Sequence, residues 1–78
     1  VHPREVFHQA LHHRAFSLII VHNHPSGDPT PSQADIDLTQ LLMTAGNLLG
    51  IPLDDHIIVG AHSAVSLWEK GIIKRAKY

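Results

Sequence analysis

The fold is decided by residues 16–35, which have the sequence FSLIIVHNHPSGDPTPSQAD. The apolar, β-branched beginning of this stretch predicts a buried strand over residues 16–22. Side chains two residues apart on a strand point to the same face, so His22 and His24 can meet where the strand ends. Residues 25–29 are dense in proline, glycine and aspartate, which predicts a turn rather than a longer strand.

A helix is predicted to follow this turn. Thr30 is a suitable N-cap, Pro31 suits the first helical position, and the glutamine three residues after the cap can close a capping box. We therefore predict a helix from Pro31 to Leu49. Ser32 and Asp35 are three residues apart and lie on one face of its first turns. The strand end and the helix start are thus expected to enclose one small volume.

That volume would contain two imidazoles, a hydroxyl and a carboxylate, which are the groups of a catalytic zinc site. His22, His24 and Asp35 supply three ligands, and a catalytic zinc has three protein ligands with a fourth position for water. Such an ion lowers the pKa of its water towards neutrality. A chance pattern is the alternative, since 8 of the 78 residues are histidine. The serine and aspartate at fixed offsets favour the metal site.

The composition indicates one small domain, residues 1–78, with an uneven distribution of charge. The chain has no cysteine, so neither disulfides nor thiolate zinc sites can stabilise it. No signal peptide or membrane-spanning run is visible, which predicts a cytoplasmic protein. Residues 15–69 contain no Lys or Arg, so direct nucleic-acid binding by this segment is not expected. The basic tail at residues 74–77 is expected to be a solvated chain end.

The remaining segments predict an α/β domain with few strands. Residues 3–11 favour a helix, residues 56–59 a second strand and residues 64–65 a third, short strand. Trp68 is expected in the core. The predicted long helix is expected to bury a stripe of apolar residues, namely Leu38, Leu41, Leu42, Ala45, Leu48 and Leu49.

The first strand has an unusual pattern for so small a sheet. It is apolar without alternation, which predicts cover on both faces and a central position. Two or three strands provide few neighbours for a central strand. We therefore expect that further N-terminal strands belong to this domain and that the chain is an incomplete domain.

The other histidines and serines are weaker candidates for chemistry. His8 and His12 are an i, i+4 pair that could chelate a metal, but the glutamate of a His-Glu-x-x-His motif is absent, and solvated positions are the simpler interpretation. His56 begins an apolar strand and is expected to be a hydrogen-bonded core residue or a support for the ligands. A serine hydrolase built on Ser26 or Ser32 lacks a nucleophile elbow.

The spacing of His22, His24, Ser32 and Asp35 resembles the motif of the JAMM (MPN+) metalloprotease domain. The wider sequence resembles the bacterial RadC family, which is UPF0758-like, in four segments that read PREVF, HNHPSGD, PSQAD and LDDHIIVG. The likeness runs from about residue 1 to residue 71. It implies a cytidine-deaminase-like fold, with a β-sheet flanked by helices.

The resemblance also implies a division of roles among these residues. Zinc would be bound by His22, His24 and Asp35, and Ser32 would stabilise the carbonyl oxygen during attack. The family's general-base glutamate lies on a strand upstream of the matched region, and Glu5 does not match it. The chain therefore resembles the C-terminal two thirds of the domain.

Together these expectations describe a zinc-dependent hydrolase in which metal-activated water attacks a peptide or isopeptide carbonyl. Its substrate would be a peptide or protein. A DNA-repair or recombination accessory, as the family has long been labelled, is one alternative, and the acidic middle of the chain argues against direct DNA binding. A non-catalytic, metal-stabilised interaction module is another, and the complete ligand set argues against it.

Overall fold

The computed structural model describes residues 2–73 and contains a three-stranded sheet with two helices. In chain order the elements are α1 (Pro3–His12), β1 (Leu18–Asn23), α2 (Gln33–Leu49), β2 (Leu53–Val59) and β3 (Ala64–Ser66). The strand order is β1-β2-β3, with β1 parallel and β3 antiparallel to β2. The predicted α/β class is confirmed. The basic tail at residues 74–77 lies outside the described residues.

The C-terminal end of α2 is fixed by two glycines. Gly50 follows the helix with φ +73°, the left-handed conformation that glycine adopts without steric cost, and so ends it as predicted. Gly46 allows the next segment to pass close to the helix, because a Cβ there would lie 2.3 Å from the carbonyl oxygen of Ile51. The parallel strand β2 can therefore begin only a few residues after α2 ends.

The N-terminal end of α2 differs from the prediction. Ser32, not Thr30, is the N-cap, and the helix begins at Gln33 instead of Pro31. The backbone N–H and hydroxyl of Thr30 both donate to the Asp28 carboxylate, so this residue belongs to the preceding turn. The capping box is therefore formed two residues later than predicted.

The core lies where the two helices pack on the sheet. Leu42 is fully buried in α2, and Leu38 and Ala45 pack partly buried beside it. Leu41, Leu48 and Leu49 are exposed, because the predicted apolar stripe is wider than the single face that a helix can present to one sheet. The prediction that Trp68 lies in the core is also wrong: it lies in the turn after β3 and is 41% exposed. Two buried clusters remain, Phe7–Ala10–Leu42–Ile51–Leu53 and Ile58–Leu67–Ile73.

Among residues 2–73, β1 is an edge strand with one covered face. Burial alternates along it, and Ile19 and Val21 are 58% and 63% exposed. The central position was predicted for a domain with further N-terminal strands beside β1, and it stays a prediction. The alternation is invisible in the sequence because apolar residues occupy both faces. Neither helix within this range has the length and apolar character needed to cross a membrane.

Candidate metal centre

The C-terminal end of β1 brings the two histidines of the motif together. His22 belongs to the strand, and the backbone N–H of His24 extends the pairing by donating to the Val59 carbonyl at 3.1 Å. The two imidazole rings therefore lie on the same face, with centroids 5.1 Å apart and planes at 88°. Asn23, between them, is exposed.

A tight turn then directs the chain towards α2. Gly27 has φ +82° and its N–H donates to the His24 carbonyl at 2.9 Å. The Asp28 carboxylate accepts from the hydroxyl of Thr30 at 2.7 Å and from its N–H at 2.9 Å. These hydrogen bonds from Thr30 lower the pKa of Asp28. The turn is thus held by its own polar groups, as its composition predicted.

The turn also fixes which nitrogen of His24 faces the cluster. Nδ1 lies 2.8 Å from the carbonyl oxygen of Asp28, and because a carbonyl only accepts, Nδ1 carries a proton. Nε2 then points to Asp35, with Oδ2 at 2.8 Å. The Asp28 contact, ahead of the Asp35 contacts, raises the pKa of His24. A backbone carbonyl that orients a histidine in this way is common behind metal ligands.

Asp35 completes the cluster from the first turn of α2. Its Oδ2 accepts from the backbone N–H and the hydroxyl of Ser32, both at 2.8 Å, and its Oδ1 lies 3.2 Å from Nδ1 of His22. Burial opposes ionisation of this carboxyl, but the hydrogen bonds from Ser32 and His24 outweigh it and lower the pKa of Asp35 to about 2. Asp35 is therefore an anion at any pH near neutrality.

The three side chains have the donor set and spacing of a metal site. One ligand atom from each of His22, His24 and Asp35 lies within 4.8 Å of the other two. Ligands bound to a tetrahedral zinc at 2.0–2.1 Å are roughly 3.4 Å apart, so the ligand atoms that lie farthest apart would draw together when an ion binds. The side chain of Asp35 is 6% exposed and that of His22 is 39% exposed. The cluster is therefore anchored in the protein on one side and open to solvent on the other.

The predicted residue Ser32 lies at the open side of the cluster. It is exposed, and its hydroxyl both donates to Oδ2 of Asp35 and accepts from the Asp35 N–H at 3.1 Å. One residue thus caps α2 and contacts a candidate ligand. The pattern Ser-x-x-Asp fits a capping box as well as a metal motif, and only the second role was predicted from the sequence.

Two buried polar residues lie beneath the cluster. His56 is fully buried, as expected of a hydrogen-bonded core histidine, and its ring lies 6.0 Å from that of His22. Its Nδ1 is 2.6 Å from the hydroxyl oxygen of Thr39. Burial lowers the pKa of His56. Sequence reasoning missed Thr39, although its position four residues after Asp35, on the same face of α2, was a usable signal.

The remaining candidates lie away from this cluster. His8 and His12 are exposed on α1 with rings 6.5 Å apart, and neither belongs to the group formed with Asp35. Ser26 is exposed and accepts a hydrogen bond from the Asp28 N–H at 3.3 Å. Glu5 is exposed on α1.

β1 ends in two histidines, and α2, which follows it, presents a serine and an aspartate, which is the arrangement expected of a JAMM/MPN-type domain. Residues 1–72 match the family described as the RadC-like JAB domain. The chain belongs to this family.

Named relatives agree with the assignment. The chain is 58% identical over 73 residues to a UPF0758 protein of Protochlamydia amoebophila, a match that covers 94% of this chain and 32% of the relative. It is 62% identical over 73 residues to a UPF0758 protein of Bacillus licheniformis, covering 94% of this chain and 33% of that protein. The chain therefore spans about a third of the length of the curated relatives that it matches.

Proposed function

We propose that this chain carries the metal centre of a zinc-dependent hydrolase of the JAMM metallopeptidase class, which cleaves a peptide or isopeptide bond. The observation that carries the proposal is the cluster of His22, His24 and Asp35, whose ligand atoms lie within 4.8 Å of one another on a surface open to solvent. Two imidazoles and one carboxylate are a donor set that suits zinc. Three protein ligands with an open side are typical of a catalytic rather than a structural zinc.

The chain's residues hold the proposed ligands ready for an ion. Asp35 is ionised by its hydrogen bonds, and the Asp28 carbonyl leaves Nε2 of His24 as the nitrogen that faces the cluster. A zinc ion at this position would supply a water of near-neutral pKa and a Lewis acid for the substrate carbonyl. No other described residue is needed to complete a three-ligand site.

We assign Ser32 the role of stabilising the oxygen of the substrate carbonyl. Its hydroxyl lies 2.8 Å from Oδ2 of Asp35 and is on an exposed residue, so it can rotate towards a carbonyl placed at the open side. A hydrogen-bond donor aimed at a developing oxyanion is typically worth about 10²–10³-fold in rate. Because the Ser32 hydroxyl lies beside a metal ligand, it is better placed to stabilise this oxygen than to attack the substrate as a nucleophile.

Proton transfer to the leaving amine is not assigned to a residue of this cluster. Glu5 and Glu69 are exposed, in α1 and in the turn after β3, and neither belongs to the group around Asp35. General acid–base help is worth about 10²–10⁴-fold, so its source matters for turnover. Hydrolysis is accordingly proposed for the intact protein, because this chain spans only about a third of the length of the relatives that it matches.

The test is hydrolysis of peptide and isopeptide substrates by the intact protein after chelation and after reloading with zinc. We expect activity only in the zinc-loaded form, loss of it in Asp35→Asn, and a decrease of about 10²–10³-fold in Ser32→Ala. Ser17→Ala, at an exposed serine before β1, is the matched control and should remain active. Equal rates with and without zinc would contradict the proposal. Zinc binding without hydrolysis would favour a metal-stabilised interaction module.

A further inference from the structure

The described residues contain a buried polar pair that the proposed chemistry does not use. Thr39 in α2 and His56 in β2 are both 0% exposed, and their side chains are joined by the 2.6 Å contact between Oγ1 and Nδ1. Buried polar groups cost stability unless they are hydrogen-bonded. This pair lies directly beneath the candidate metal ligands, which points to a role in supporting those ligands.

The proton positions of the pair follow from its partners. Oγ1 of Thr39 lies 2.6 Å from the backbone carbonyl of Asp35 as well as 2.6 Å from Nδ1 of His56. The carbonyl can only accept, so the single hydroxyl proton of Thr39 is donated to it. Nδ1 of His56 must then carry the proton that is donated to Thr39. Nε2 of His56 is left as a bare acceptor.

Nε2 of His56 is expected to lower the stability of the fold. Nε2 of His56 is buried and has no hydrogen-bond partner among the described residues. An apolar ring of similar size would fill the same space without an unpaired polar atom. The presence of an imidazole here therefore calls for a reason other than packing.

The pair contacts the candidate ligands from two directions. Thr39 holds the backbone of Asp35 one helical turn earlier, and the ring of His56 lies beneath that of His22 at 6.0 Å with planes 25° apart. Ile20 of β1 is aligned with His56 of β2, and His22 lies two residues after Ile20 on the same strand. The rings of His22 and His56 therefore lie on one face of the sheet. The hydrogen bond between Thr39 and His56 thus joins α2 to β2, and the His56 ring stacks near the end of β1.

We propose that Thr39 and His56 are positioning residues for the metal centre, holding the Asp35 turn and the His22 ring at the separation that an ion requires. The inference rests on the proposed zinc site. Groups behind the ligands typically change metal affinity by about 10–100-fold when they are removed. Because neither residue belongs to the ligand group, the expected effect is on ligand geometry rather than on the chemistry of the site.

The experiment measures zinc affinity by competition with a chromophoric chelator, using the intact protein and the variants Thr39→Val, Thr39→Ser and Thr44→Val. Thr44 is the matched control, because its hydroxyl makes the same bond to the carbonyl four residues earlier, Gln40 at 3.0 Å, on an exposed part of α2. We expect Thr39→Val to bind zinc about 10–100-fold more weakly. Thr39→Ser and Thr44→Val should bind zinc like the unchanged protein.

A second variant separates positioning from stability. His56→Phe keeps a ring beneath His22 and leaves no new unpaired group, since Thr39 still donates to Asp35. We expect the metal-free His56→Phe protein to unfold no more easily than the unchanged protein, while its zinc affinity falls. Nitrogen NMR of the metal-free protein should show His56 protonated at Nδ1 and bare at Nε2.

The outcomes distinguish this inference from the function on which it rests. If the unchanged protein does not bind zinc, the proposed function fails. If it binds zinc and Thr39→Val binds equally tightly, or no more weakly than Thr44→Val, the positioning role is refuted. Protonation of His56 at Nε2 would refute the proton arrangement.

Discussion

Replacing Gly60 by alanine is expected to weaken metal binding from outside the ligand set. Gly60 follows β2 and lies against the turn after His24. An added Cβ would be 2.4 Å from the carbonyl oxygen of Gly27 and 2.7 Å from Cδ of Pro29. Both contacts involve backbone or a rigid ring, so neither can be relieved by rotating a flexible side chain.

The size of the effect follows from these distances. Bringing the Gly27 contact from 2.4 Å to an ordinary 3.4 Å requires a shift of about 1 Å. The turn that moves also carries the Asp28 carbonyl, which orients His24 at 2.8 Å. Metal–ligand distances tolerate only about 0.2 Å. We expect zinc affinity to fall about 10–100-fold, as for loss of an orienting group. Overpacking should also cost about 1–3 kcal/mol of stability.

The assay is zinc competition together with denaturant unfolding of the metal-free protein. Gly50→Ala is the control, because it introduces strain at φ +73° with no atom within 4 Å of the new Cβ, at the far end of α2. It should lower stability by about 1 kcal/mol and leave zinc affinity unchanged. Unchanged zinc affinity in Gly60→Ala would refute the argument that this contact sets the position of the turn.

Three further predictions concern pH, nucleic acid and the core. The Asp28 contact raises the pKa of His24 above 6.5, so zinc affinity should fall as the pH drops through that raised value. In the metal-free protein the protonated His24 instead stabilises the fold, and this contribution is complete below pH 6.5 and lost as the pH rises through the raised pKa. Melting curves of His24→Gln, measured across this pH range, should lack the contribution. Residues 15–69 contain no Lys or Arg, so titration with a labelled DNA duplex at two salt concentrations should show no tight, salt-sensitive binding; sub-micromolar affinity that falls steeply with salt would favour the repair-accessory function. Leu42→Ala should destabilise the protein by about 2–5 kcal/mol in denaturant unfolding, since Leu42 is fully buried. Leu48→Ala, at a residue that is 83% exposed, should change stability by less than about 0.5 kcal/mol. Equal losses of stability in the two variants would contradict the described core.

The parts of the fold that the sequence predicted depend on local chemistry. The turn after His24 contains residues that favour one backbone path, and Gly50 ends α2 in a conformation that other residues rarely adopt. Strand periodicity places His22 beside His24, and the turn followed by the start of α2 brings Asp35 to them.

The parts that the sequence did not predict depend on what packs against what. Leu48 and Trp68 are apolar yet exposed, because apolar character does not specify which face of a helix or turn meets the sheet. The alternating burial of β1 was hidden for the same reason, since Ile19 and Ile20 are chemically alike but point to opposite faces. The cap lies at Ser32 because the Thr30 hydroxyl donates to the Asp28 carboxylate, whereas the Ser32 hydroxyl accepts from the Asp35 N–H.

Zinc content and position test the central claim most directly. The intact protein, treated with chelator and reloaded, should contain one zinc per chain by elemental analysis. Anomalous diffraction should place that ion about 2.0–2.2 Å from His22, His24 and Asp35. His22→Ala and Asp35→Ala should lose the metal, and a His8→Ala/His12→Ala double variant should keep it. Zinc retained by His22→Ala but lost from the double variant would contradict the account.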